Sequence, residues 1–296
     1  MNKGEMLPMT NKLLLMLAFV PSFIWTQTAD AAAPGAGPQP PYVAWFQPKF
    51  FAQDPGLYRH LTLDAGGTES PERLRQHGAL GLAWAYGINN PDAKAPDYWR
   101  DICSPEYRRW AGLGKTPSQV ASKVIRPGVA LDEWCNPAHP KSEQWAAEGL
   151  RQGRKQWPDC FIAVWITDQT EPLAALVRDG TVDLLILECY THAPASLGPG
   201  PFAQSLPGVY HRVGLVKKAG VLDKAIICLG HITDEPDLKG RRLTPDGLRI
   251  LAADLRKRFP ECPGIAFYQA HERNTARELI QVCDEIGATF LTKPNP

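Results

Sequence analysis

From residue 128 onward the chain repeats one pattern five times: a short apolar run, then a helix-patterned segment. The runs are 128–133, 161–166, 182–188, 225–230 and 264–269, and the helical segments are 141–157, 171–180, 202–220, 244–259 and 274–287. Strands that are apolar throughout, rather than alternating, are covered on both faces. The pattern therefore demands a parallel sheet sheathed in helices. Punctuation agrees. Pro172 and Pro245 stand in first turns, Thr244 offers a cap, and Gly180, Gly220 and Gly287 are stop signals. Three more strand-like runs lie upstream at 42–46, 60–65 and 80–86, with a capped helix at 70–78 between the second and third. Eight strands in this order predict a single-domain α/β fold, a (β/α)8 TIM barrel. A doubly wound open sheet is the alternative, but no G-x-G-x-x-G turn follows the first run.

The barrel is expected over 42–296. Before it, Lys12, a short apolar run and Ala29-Asp30-Ala31 read as a secretory signal over 1–31. Residues 32–41 read as a flexible Pro/Gly-rich lead-in. The apolar run is short for a membrane span, so no stable insertion is expected after cleavage, and the protein is expected to be secreted or periplasmic. A net charge of +1 gives no reason to expect nucleic acid or an anionic membrane surface as partner. Residues 87–126, with Tyr98, Trp99, Tyr107 and Trp110, are too long for a minimal barrel loop and read as a subsite wall or a structural plug. Seven cysteines (103, 135, 160, 189, 228, 262, 283) leave one over. Cys103 with Cys135, and Cys262 with Cys283, are candidate bridges, while Cys228 reads as a small core residue.

Barrel chemistry lies at the carboxyl ends of the strands. Read in order, those ends carry an excess of aromatics: Trp45, Trp84, Tyr86, Trp134, Trp165, Tyr190 and Tyr268. Flat rings with polar edges suit the apolar faces of sugars. Asp168, His231 and Gln269 are placed to bind hydroxyls beside them. The ends also carry acids. Glu133 has the reach and the aromatic neighbour of a general acid, with Asp132 tuning it, and Glu188 across the mouth is the partner carboxylate. Such a pair is the machinery of glycoside hydrolysis. Carbohydrate is thus the expected substrate, with no cofactor and no metal. Alternation points Cys189 away from Glu188, towards the helices.

The segments "GVALDEW", "LECYTH" and "GIAFYQ" together resemble the strand ends of secreted (β/α)8 glycoside hydrolases, loosely the chitinase-like family 18. The resemblance implies an acid at Glu133, an acetamido-binding tyrosine near Tyr190, and Tyr268 where that family commonly has tryptophan. Val129 and Ala130 stand where its signature has acids. Two other readings stay open. Glu133, Glu188, His231 and Glu272 suit a divalent metal, as in barrel sugar isomerases and epimerases. A non-catalytic carbohydrate-binding barrel would keep the aromatics and dispense with the acids.

Overall fold

The computed structural model describes residues 37–86, 94–110, 124–132, 134, 141–167, 170–189, 199–230, 232–235, 243–269 and 275–292. Its strands are β1 (Tyr42–Phe46), β2 (Leu63–Asp64), β3 (Leu80–Gly81), β4 (Ala83–Tyr86), β5 (Gly128–Asp132), β6 (Phe161–Ile166), β7 (Leu184–Cys189), β8 (Ala225–Leu229) and β9 (Gly264–Tyr268). Every ladder is parallel. The order β3-β2-β1-β9-β8-β7-β6-β5-β4 ends on two strands that only Leu82 separates, so β3 and β4 are one broken strand and the sheet closes on itself. Following register partners once around the ring from Ala85 returns to that strand at the level of position 77, eight residues lower. Eight strands with a stagger of eight is the TIM barrel geometry.

The helices are α1 (Pro71–Gln76), α2 (Pro96–Asp101), α3 (Pro105–Trp110), α4 (Ser142–Gln156), α5 (Glu171–Arg178), α6 (Pro199–Lys218), α7 (Pro245–Arg258) and α8 (Arg277–Leu291). Local chemistry sets their ends. The side chains of Ser70, Thr170 and Thr244 each accept a backbone N–H three residues on. Gly180 and Gly220 follow α5 and α6 in the left-handed region, with φ of 77° and 73°. Gly287 is not the expected stop. α8 runs on to Leu291, and a Cβ at Gly287 would lie 2.8 Å from the Val43 side chain. The glycine is there to let α8 approach β1.

Alternation along the strands sorts the interior into two layers. The lumen holds Ala44, Phe46, Leu63, Ala65, Leu82, Ala130, Ala163, Trp165, Ile186, Cys228 and Ala266, among others. The wall between strands and helices holds Val43, Trp45, Ala83, Ala85, Val129, Leu131, Val164, Leu187, Cys189 and their helix partners. Residues 87–126 are not simply an inserted loop. They contain α2 and α3, with Trp99, Ile102 and Cys103 buried in the wall, and they fill the helix position after the third strand. Between β1 and β2 a single 3-10 turn, Pro55–Tyr58, does the same service. The end of the lead-in is packed rather than free: Pro38 is buried and its carbonyl accepts the Tyr42 hydroxyl at 3.3 Å.

The cysteine expectations are corrected in part. Cys228 is a buried lumen residue, as read. Cys262 and Cys283 are free thiols, and so is Cys103, so neither candidate bridge is formed. Among the described residues no helix is long and apolar enough to cross a membrane.

Candidate active site at the carboxyl ends of the strands

Parity decides which strand-end residues reach the mouth. On β5, Val129 and Leu131 face the wall and Ala130 faces the lumen, so Asp132 continues the lumen-facing set. On β7, Leu185, Leu187 and Cys189 face the wall while Leu184 and Ile186 face the lumen, so Glu188 emerges on the lumen side. Glu188 is 8% exposed and Asp132 is half-buried. β6 separates their strands, which puts the two backbones roughly 10 Å apart, two strand spacings. Between them, on β6, sits Trp165.

Trp165 is the floor of the mouth. It is buried, its indole N–H donates to the Ala65 carbonyl at 3.3 Å, and Phe46 meets it edge-on at 5.2 Å between ring centroids. Tyr268 packs on Phe46 in turn, at 5.1 Å. Trp84 and Tyr86 stack at 5.3 Å with an interplanar angle of 20°, and Trp84 packs against the lumen cluster. Outside the barrel, Tyr107 and Tyr98 hold that strand end in place, their hydroxyls donating to the carbonyls of Trp84 and Tyr86 at 3.1 and 3.0 Å.

Three residues expected at the mouth are elsewhere. Trp45 faces the wall, sandwiched between Tyr58 and Phe267 with both ring centroids 5.0 Å away. Its neighbour Phe46 takes the lumen position, which the period-two pattern of Tyr42, Ala44 and Phe46 would have revealed. Trp134 is buried against Trp99 in the wall, and its indole N–H donates to Glu143 at 2.9 Å. Gln269 is fully buried, and its amide oxygen accepts from Lys49 N and the Tyr58 hydroxyl, both at 3.2 Å. It pins the loop after β1, where Gln47 adopts a φ of 60°. Glu133, Asp168, Tyr190 and His231 lie outside the described residues, as does Glu272.

The electrostatics follow from burial. Burial first, and the Glu188 charge second, push the Cys228 thiol well up. Burial pushes Cys189 up to about 12, in keeping with its place away from the mouth. Asp64, at the end of β2, is raised to about 6 by burial, although its carboxylate accepts Gly66 N and Glu69 N at 3.0 Å each. It organises the loop leading to α1. Among the described residues, the buried polar atoms without a partner include Gln47 Oε1, Thr68 Oγ1, Trp84 Nε1 and Gln269 Nε2. These four lie on or just after strands that are neighbours in the ring. At the opposite face, a cleft of about 310 Å³ beside Gln39, Tyr42, Asp159 and Lys224 contains the ion pair of Arg154 with Asp183. In this fold that end serves stability rather than chemistry. Among the described residues no group of three or more His, Cys, Asp or Glu could hold a metal. Of the four residues considered for one, only Glu188 is described.

No family model matches the sequence, and a search of curated proteins finds no match. Solved structures do match. An endo-β-N-acetylglucosaminidase from Cordyceps militaris is similar with a TM-score of 0.52 at 12% identity, over 85% of this chain and 91% of that one. A chitinase from Bacteroides thetaiotaomicron gives 0.51 at 11% identity, over 86% and 97%. The xylanase and α-amylase inhibitor protein XAIP-II from Scadoxus multiflorus gives 0.50 at 13% identity, over 86% and 99%. At such identities the likeness is one of fold: the chain is built on the same barrel as these proteins.

Proposed function

We propose that the protein is a glycoside hydrolase that cleaves an oligo- or polysaccharide outside the cytoplasm. The observation that carries this reading is the placing of Asp132 and Glu188 on the lumen side of two strand ends, with Trp165 between them. Glycosidic bonds need one carboxyl group to protonate the leaving oxygen and a second to act as nucleophile or to activate water. Glu188 takes the second role. Glu133, the residue after the end of β5 and so not bound by its alternation, takes the first, with Asp132 beside it in sequence as the like charge that raises its pKa. Trp84, Tyr86 and Tyr268 stack on sugar faces. Trp84 Nε1 and Thr68 Oγ1, buried with no partner among the described residues, suit a ligand rich in hydroxyls, because an unmet buried donor or acceptor is costly.

The inhibitor protein among the similar structures supports a second reading, a binding barrel without catalysis. A glycan hydrolysis screen with binding measured in parallel separates the two. On the enzyme reading, Glu133→Gln lowers turnover by about 10²–10⁴-fold, the usual worth of a general acid, and sugar binding persists. Binding without turnover in the unaltered protein would establish the second reading. Wild-type turnover in Glu133→Gln would remove Glu133 from the mechanism and move the acid's role to Asp132.

A further inference from the structure

Cys103 and Cys160 take no part in the site above. Cys103 follows α2 and Cys160 immediately precedes β6. Both are fully buried free thiols in the same apolar cluster. Two glycines of α4 bring α2 close enough for this. A Cβ at Gly149 would lie 2.1 Å from the Pro96 carbonyl oxygen, and one at Gly153 would lie 2.8 Å from Cys103 Sγ. The turn that ends α4 then comes back towards this segment: Arg108, five residues past Cys103, pairs with Asp159, next to Cys160, at 3.0 Å. Trp157 N donates to the Gly153 carbonyl at 2.8 Å, and Cys160 N donates to the Trp157 carbonyl at 3.1 Å. Hydrogen bonding with the Cys160 thiol, and then burial, push the Cys103 thiol well above its ordinary value. The other cysteines are less suited. Cys189 and Cys228 sit on adjacent strands, but one faces the wall and the other the lumen.

We propose that Cys103 and Cys160 close a disulfide as the chain folds in an oxidising compartment, bolting α2 to the start of β6. The inference is independent of the glycosidase chemistry and rests on the proposed location outside the cytoplasm. The oxidant is a low-molecular-weight disulfide such as oxidised glutathione. The thiolate of one cysteine attacks it, forming a mixed disulfide and releasing one thiol. The second cysteine attacks the protein-bound sulfur and releases the other thiol. The two protein thiols give up two electrons and two protons, and both are taken by the oxidant as it becomes two thiols. The bond forms as α2 docks, before the thiols are fully buried, because buried, poorly ionised thiols exchange slowly. It ties the α2–α3 segment, whose Tyr98 and Tyr107 hold the Trp84–Tyr86 strand end, to the far side of α4.

The test is to refold the full chain in a glutathione redox buffer, block free thiols and map peptides without reduction. The expected result is a Cys103–Cys160 linked peptide and a protein lighter by two hydrogens. Reduction or the double variant Cys103→Ala/Cys160→Ala is expected to lower the melting temperature. Cys262→Ala is expected to leave the linked peptide in place. Folded protein in which Cys103 and Cys160 are both blocked as free thiols overturns the proposal. So does a Cys103 linked to any other cysteine. Oxidant added to the already folded, reduced chain is expected to form the bond slowly; rapid closure there would overturn the order of events.

Discussion

The wall and the lumen of this barrel use the same side chains for opposite ends. Trp45 and Trp134 stand at carboxyl ends of strands, and so do Trp84 and Trp165. The first pair is buried in the wall, packed on Tyr58, Phe267 and Trp99. The second pair lines the lumen, and among the described residues the Trp84 indole N–H has no acceptor. One step along a strand changes a tryptophan from structural filler to a candidate sugar platform. The residue type at a strand end therefore says little until its parity is known.

Exchanging side chains across this divide sharpens it. Trp45→Ala is expected to cost about 3–5 kcal/mol of unfolding free energy, the usual range for a core tryptophan, measured by denaturant unfolding. Trp84→Ala, half-buried at the mouth, is expected to cost less stability and to weaken oligosaccharide binding. A reversal of those two outcomes would break the comparison.

Asp64 gives a pH signature. Its raised pKa means that the native state holds the proton more tightly than the unfolded chain does. Stability from this group is greatest below about pH 4 and is lost as pH rises towards 6. The difference between wild type and Asp64→Asn is therefore expected to fall across that window by roughly 3 kcal/mol, at about 1.4 kcal/mol per pH unit, and to stay flat above it. Urea titrations at successive pH values read this directly, and a flat difference throughout would contradict the burial of the group.

Smaller effects follow. Gly149→Ala forces a methyl group against the Pro96 carbonyl and is expected to cost about 1–3 kcal/mol, the range for overpacking. Thr244→Ala removes the cap on α7 and is expected to cost about 1 kcal/mol, with activity unchanged.

How much of this was readable in the sequence follows the same division. The runs 42–46 and 161–166 became β1 and β6 to the residue, because strands covered on both faces are continuous apolar blocks. The run 60–65 shrank to Leu63–Asp64, since the Thr62 hydroxyl takes the bond from Val43 N at 2.8 Å that a ladder carbonyl would otherwise accept. The helices of 87–126 were hidden because α2 and α3 are six residues each, too short to show a period. In the site, Asp132 and Glu188 were legible as acids ending apolar runs. Trp45 and Gln269 were misplaced because residue type was weighed ahead of alternation, and Trp134 because it lies past the end of β5, where the alternation of Ala130 and Asp132 no longer holds. The partners of Gln269, Lys49 and Tyr58, lie some 200 positions away and leave no local signal.

The most direct test of the account is the rate of glycan hydrolysis by Glu188→Gln, with its unfolding midpoint measured on the same preparation. The account predicts a loss of about 10²–10⁴-fold or more in turnover, with sugar binding kept and the midpoint near that of the unaltered protein. Unaltered turnover in a folded Glu188→Gln would contradict the placing of catalysis on the lumen face of β7.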